Sequence, residues 1–154
     1  LIDTLKRCKE NGINTVVETS GYTDINTISR SINYIDTFYV DLKLMDNEKH
    51  KMLTKVSNEK ILLNIEFIAK TRKNLLVRIP ILPGINDDLN IKRSGEFLAR
   101  IGVSNVQLLP YHNYGKSKYD SLGREYLLDV CIPTSEEMER IKLFLGKFNL
   151  NVII

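Results

Sequence analysis

Apolar residues along this chain switch repeatedly between two spacings: short runs of the strand type, and recurrences at three and four that mark helices. Leu1, Ile2, Leu5 and Cys8 fit a helix that Asn11-Gly12 ends, because glycine accepts positive φ without steric cost. Asn14–Thr19, with Val16 and Val17, is a first strand, followed by a loop in which Thr23 or Asp24 caps the helix carrying Ile25, Ile28 and Ile32. Thr37–Lys43 is a second strand. Helices over 46–56 and 58–71 come next, the latter with Ile61, Leu62, Ile65 and Ile68 on one face. Leu75–Ile81 is almost continuously apolar, which predicts a strand buried on both faces. Pro83-Gly84 and Asn86-Asp87-Asp88 predict a turn and a helix that runs to Gly102. A fourth strand covers Asn105–Tyr111, and a long loop without regular structure covers His112–Pro133. Thr134 and Glu137 form a capping box for a helix with Met138, Ile141, Leu145 and Phe148, and Leu150–Ile154 closes as a fifth strand.

Strands alternating with helices predict right-handed βαβ units and an α/β fold with mostly parallel strands, in one domain over 1–154. Five strands are too few for a closed eight-stranded barrel, so a partial barrel is expected. Hydrophobic residues at 43% and charged residues at 27% are ordinary for a globular domain, and a net charge of +3 gives no argument for nucleic acid. No apolar run is long enough for a membrane helix. Cys8 and Cys131 fit neither a disulfide framework nor a metal-ligand spacing, which predicts reduced thiols and a cytoplasmic setting. The chain opens at Leu1, inside a helix and without Met, so a piece of a longer protein is expected.

Four strands end on polar residues: Glu18-Thr19, Asp41-Leu42-Lys43, Arg78 and His112. The carboxyl ends of parallel strands are where α/β proteins assemble their sites, so one shared polar crevice is expected. Asp41 and Lys43, two apart, share a face and form an internal ion pair or the halves of a ligand clamp. Arg78 pairs with Asp41 or Glu18, or forks onto a carboxylate or phosphate. His112 is a hydrogen-bond partner, a proton carrier or a loop residue without a task. His50, in a polar helix, reads as surface. In the long loop Lys116, Lys118 and Arg124 precede Glu125 and Asp129, with Asp120 among them, and Tyr111, Tyr114 and Tyr119 are interleaved.

Five stretches taken together resemble a family, and the resemblance runs the length of the chain. They are Glu18-Thr19-Ser20-Gly21-Tyr22-Thr23, then Val40-Asp41-Leu42-Lys43 followed by His50, then Ser57-Asn58 with Ile61-Leu62 and Asn64. Arg78-Ile79-Pro80 with Pro83-Gly84 and Asn86-Asp87 follows, and last Leu108-Leu109-Pro110-Tyr111-His112 with Gly115, Lys118-Tyr119 and Leu122-Gly123. The series is similar to the glycyl-radical-enzyme activating enzymes, typified by pyruvate formate-lyase activating enzyme. That resemblance implies a partial (β/α) barrel of the radical S-adenosylmethionine type. It also implies a chemistry in which a [4Fe-4S] cluster reduces S-adenosylmethionine to a 5′-deoxyadenosyl radical, which takes hydrogen from a backbone glycine of the partner. The partner would be pyruvate formate-lyase or a related glycyl-radical enzyme, and the electron donor flavodoxin or ferredoxin. By position, Asp41, Lys43, Arg78 and His112 would bind the cofactor. Glu18, Thr19, Asp41 and the Tyr39 backbone would match a monovalent-cation site.

The chain departs from the family pattern in places. Glu18 stands where the pyruvate formate-lyase branch has aspartate, and Lys55 where glycine is usual. The C-x₃-C-x₂-C cluster loop and the Gly-Gly-Glu-Pro stretch are absent. The expectation is therefore the C-terminal portion of an activase, truncated at its N-terminus, inactive alone and unable to bind the cluster by itself. The alternatives weighed beside it are an aldolase-like barrel using Lys43 as a Schiff-base lysine, and a non-enzymatic anion-binding module built on the basic, tyrosine-rich loop.

Overall fold

The computed structural model describes residues 1–86, 88–128 and 130–154. The elements are α1 (Ile2–Glu10), β1 (Val16–Thr19), α2 (Ile25–Ser31) with a 3₁₀ turn at Ile32–Tyr34, β2 (Thr37–Asp41), α3 (Asn47–Thr54) and α4 (Glu59–Lys70). Then come β3 (Asn74–Ile81), α5 (Asp88–Arg100), β4 (Asn105–Pro110), α6 (Lys116–Ser121), α7 (Ser135–Gly146) and β5 (Asn151–Ile153). Asp87 of the turn before α5 and Asp129 of the loop's acidic part lie outside the described residues. Asp24 caps α2 by accepting the Asn26 N–H at 2.8 Å, and the Thr134–Glu137 capping box is present in full.

All strand pairs are parallel, and the sheet order is β1-β2-β3-β4-β5. Right-handed crossovers that always step in one direction leave their helices on one face of the sheet. A reversal of direction would have put helices on both faces. Burial follows the one-sided arrangement: Phe38, Val40, Val77, Ile79, Val106 and Leu108 join Ile65, Ile68, Leu98 and Leu145 of the helices in one core cluster. The other face has no helix layer among the described residues. Leu76, Arg78 and Pro80 are therefore only half-buried, and the expected burial of β3 on both faces holds for one face only.

Two further expectations are corrected. The stretch after β4 is not without structure, because it contains α6 and a tyrosine cluster: the Tyr111 and Tyr126 hydroxyls are 2.7 Å apart, and Tyr119 meets Tyr126 edge-on at 5.0 Å. A helix this short is held by packing rather than by its own propensity. His50 is not a surface residue but only 2% exposed. Its Nδ1 lies 2.8 Å from the Val56 carbonyl and 2.9 Å from the Thr54 hydroxyl, so it fastens the turn between α3 and α4.

Candidate functional site

The open face of the sheet gathers the strand-end charges in register. Glu18 stands beside Tyr39, and Asp41 beside Arg78, which in turn faces Gln107. β2 ends at Asp41, two residues before Lys43, yet the Leu42 N–H still donates to the Arg78 carbonyl at 2.8 Å. Leu42 and Leu44 are both buried, so Lys43 between them is turned the other way, toward Asp41. Its Nζ lies 2.7 Å from Asp41 Oδ2. Asp41 and Lys43 thus form an internal ion pair.

Arg78 takes the partner one strand farther away. Its Nη1 lies 2.6 Å from Glu18 Oε1, and its guanidinium sits 5.9 Å from the centre of the Tyr39 ring. Glu18 is on β1 and Arg78 on β3, so the pair bridges about 10 Å across β2, twice the strand spacing. An aspartate at 18 would be shorter by one carbon–carbon bond, about 1.5 Å. The departure from the family at this position therefore has a geometric correlate.

The site is not fully satisfied by its own groups. Asp41 Oδ1 and Arg78 Nε are buried and have no hydrogen-bond partner among the described residues. Unpaired buried polar atoms are costly, and beside two charge pairs they point to a ligand that carries both a donor and an acceptor. An amino acid group, with ammonium and carboxylate, is such a ligand. Beside Lys43 opens an apolar cleft of about 280 Å³ between Leu53 of α3, Leu82 and Ile85 after β3, and Leu128 of the long loop.

The remaining predicted residues are placed differently. His112 follows β4 at the same sheet end, is exposed, and stacks on Tyr114 with ring centres 4.4 Å apart. No described bond joins it to Asp41, Lys43 or Arg78. Thr19 is in register with buried Val40, on the helix side of the sheet, and its hydroxyl accepts the Gly21 N–H at 3.1 Å. Thr19 thus faces the opposite side of the sheet from Glu18, and no group of three or more His, Cys, Asp or Glu side chains placed to hold a metal ion exists among the described residues. With Thr19 on the other face, the three side chains do not form one set on the open face. Nor do Cys8, half-buried on α1, and Cys131, exposed before α7, fit an iron–sulfur cluster, which takes thiolates gathered at one place.

Four asparagines, Asn58, Asn64, Asn86 and Asn90, are buried; sequence reasoning placed the first three in family-like stretches but assigned none of them a structural role. Each bonds the backbone of a loop at the carboxyl end of a strand. Asn64 donates to the Gly21 and Thr23 carbonyls after β1, both at 2.9 Å. Asn86 accepts the Leu82 N–H at 2.7 Å and donates to the Pro80 carbonyl. The readable signal was a polar residue on an apolar stripe, as Asn64 is between Ile61, Ile65 and Ile68.

Fold and site together define a one-sided parallel α/β sheet with a charged face at its carboxyl end. The chain matches no family model. It is 36% identical over 97% of its length to the trans-4-hydroxy-L-proline dehydratase activating enzyme of Clostridioides difficile, and covers 51% of that protein. It is 35% identical over 98% of its length to the pyruvate formate-lyase 1-activating enzyme of Escherichia coli (strain K12), and covers 63% of it. A solved domain of the pyruvate-formate lyase-activating enzyme from Bacteroides vulgatus superposes with a TM-score of 0.84 at 32% identity, covering 100% of this chain and 88% of that one. The chain belongs to the glycyl-radical-enzyme activating enzymes. It spans about half the length of the first curated relatives it matches.

Proposed function

We propose that this chain supplies the cofactor-binding and partner-facing part of a radical S-adenosylmethionine activase, which generates a glycyl radical on a partner enzyme. The observation that carries the reading is the Asp41–Lys43 pair beside Arg78, with Asp41 Oδ1 and Arg78 Nε unsatisfied, in a chain of this family. Asp41 receives the ammonium of the cofactor's methionyl group and Lys43 its carboxylate. Opposite charges held within a few ångströms recognise a zwitterion without leaving a net charge buried. Arg78 lines the same pocket from β3. His112, on the rim after β4, would stand near the ribose. S-adenosylmethionine, when bound, supplies the hydrogen-abstracting chemistry. In a whole activase of this kind a [4Fe-4S] cluster would supply the reducing electrons, with flavodoxin or ferredoxin as their source.

The partner is a glycyl-radical enzyme, pyruvate formate-lyase or a relative, docked on the rim formed by His112 and the loop after it. A Schiff-base role for Lys43 is disfavoured, since its amine is bonded to Asp41 rather than placed in an apolar pocket. The test is calorimetric titration of the chain with S-adenosylmethionine. Lys43→Gln is expected to weaken binding at least tenfold at unchanged melting temperature. Equal affinity in the two proteins would overturn the assignment of Lys43.

A further inference from the structure

The segment that presents Lys43 lies beyond the last β2 residue, Asp41, and is held by side chains rather than by a strand partner. Two asparagines reach it from different helices. Asn58, just before α4, donates to the Leu44 carbonyl at 2.9 Å and to the Met45 carbonyl at 3.0 Å. Asn90, in the first part of α5, accepts the Met45 N–H at 2.7 Å and donates to the Lys43 carbonyl at 3.4 Å. Three consecutive residues thus have backbone polar groups bonded to two buried amides. Asparagine suits the task because one short side chain offers both donors and an acceptor.

Asn58 is itself anchored. Asn47 Oδ1 accepts the Asn58 N–H at 3.1 Å and the Ser57 hydroxyl at 2.9 Å, and Asn58 is 2% exposed. Just upstream, buried His50 fixes the Val56 carbonyl. Lys43, its ammonium paired with Asp41, therefore projects from a backbone segment clamped on both sides.

We propose that Asn58 and Asn90 are positioning residues: by holding the Lys43–Met45 backbone they set where the Lys43 ammonium stands, and with it the place of the ligand's carboxylate. The claim rests on the preceding reading of Lys43 as a ligand-binding residue. Groups that orient a binding side chain typically change affinity by about 10–100-fold when removed. A purely structural asparagine would lower stability and affect binding regardless of what stands at position 43.

A double-mutant cycle separates the two roles, because residues that act through one another are not additive. The chain is titrated with S-adenosylmethionine as wild type, Asn58→Ala, Lys43→Gln and the double variant. Asn58→Ala is expected to weaken binding about tenfold beside Lys43 and less than twofold beside Gln. The same loss in both backgrounds, or no loss in either, overturns the proposal. If Asn58→Ala does not fold, Asn90→Ser carries the same cycle, since it leaves the Asn58 bonds in place.

A second measurement needs no ligand. The ¹⁵N signal of Lys43 Nζ is expected to move toward that of solvated lysines in Asn58→Ala. In Asn64→Ala, an equally buried amide that holds the loop after β1, it should stay in place. An unmoved signal in Asn58→Ala overturns the proposal. Should the wild-type chain not bind S-adenosylmethionine, the functional reading falls, and the Nζ signal still decides the positional claim.

Discussion

Lys55 closes α3 with φ of 67°, a left-handed conformation that a side chain adopts at a cost of roughly 1–2 kcal/mol. Glycine has no such cost but loses more backbone entropy on folding, about 0.5–1 kcal/mol. The first effect wins, and Lys55→Gly is expected to raise stability by up to about 1 kcal/mol in urea unfolding. A decrease would show that the Lys55 Nζ bond to the Met52 carbonyl, at 2.9 Å, outweighs the strain. Asp36 makes a different residue-scale case. Its carboxylate accepts from Lys9 Nζ at 2.8 Å and from the Thr15 N–H at 2.9 Å, which lowers its pKa from 3.8 to about 2. The folded state thus holds this proton less tightly than the unfolded one. Its contribution is full above the ordinary carboxylate value and lost as pH falls through about 2. Melting temperatures of wild type and Asp36→Asn should differ at neutral pH and converge toward pH 2; a gap independent of pH would contradict this.

Between elements, the contact that joins α5 to the end of α7 depends on a missing side chain. A Cβ on Gly95 would lie 2.6 Å from Phe148 Cδ2 and 3.0 Å from Leu145 Cδ2. Helix propensity alone would make Gly95→Ala stabilising by about 1 kcal/mol. Overpacking against a ring costs about 1–3 kcal/mol, so the substitution is expected to destabilise, as read by a lower denaturant midpoint. The boundaries of these elements were legible because their signals are local: the Thr134–Glu137 box, the Asp24 cap, and Gly12 with φ of 68° all act within a few residues. α6 was not legible, because its one tyrosine, Tyr119, meets Tyr126 only once the loop folds back. His50 was misread for the same reason: its partners, Thr54 and Val56, surround it only when the turn after α3 closes.

For the whole molecule, the one-sided helix layer leaves the charged face open and places the α6 segment directly after the rim residue His112. Lys116 and Lys118 are exposed there, beside exposed Tyr114 and Leu122. On the proposed docking role, reversing both charges (Lys116→Glu, Lys118→Glu) in an activase containing these residues is expected to slow partner activation several-fold, mainly through association rate. S-adenosylmethionine affinity should be unchanged. Unaltered activation would remove the docking role, and parallel loss of both activities would trace the effect to the pocket.

The sequence by itself determined the alternation of strands and helices, their parallel arrangement and the polar residues at the strand ends, since hydrophobic period and local capping carry that information. It also determined, through five ordered stretches, the resemblance to the activating enzymes. Only the tertiary structure decided which charges pair. Arg78 could have met Asp41, its neighbour in register, but crosses over Tyr39 to Glu18, while Asp41 is taken by Lys43. Thr19 went to the helix side because strand alternation separates it from Glu18, and Asn58, Asn64 and Asn90 found loops 13 to 47 positions away. Such choices depend on distances across the sheet and between layers, which periodicity along the chain does not encode.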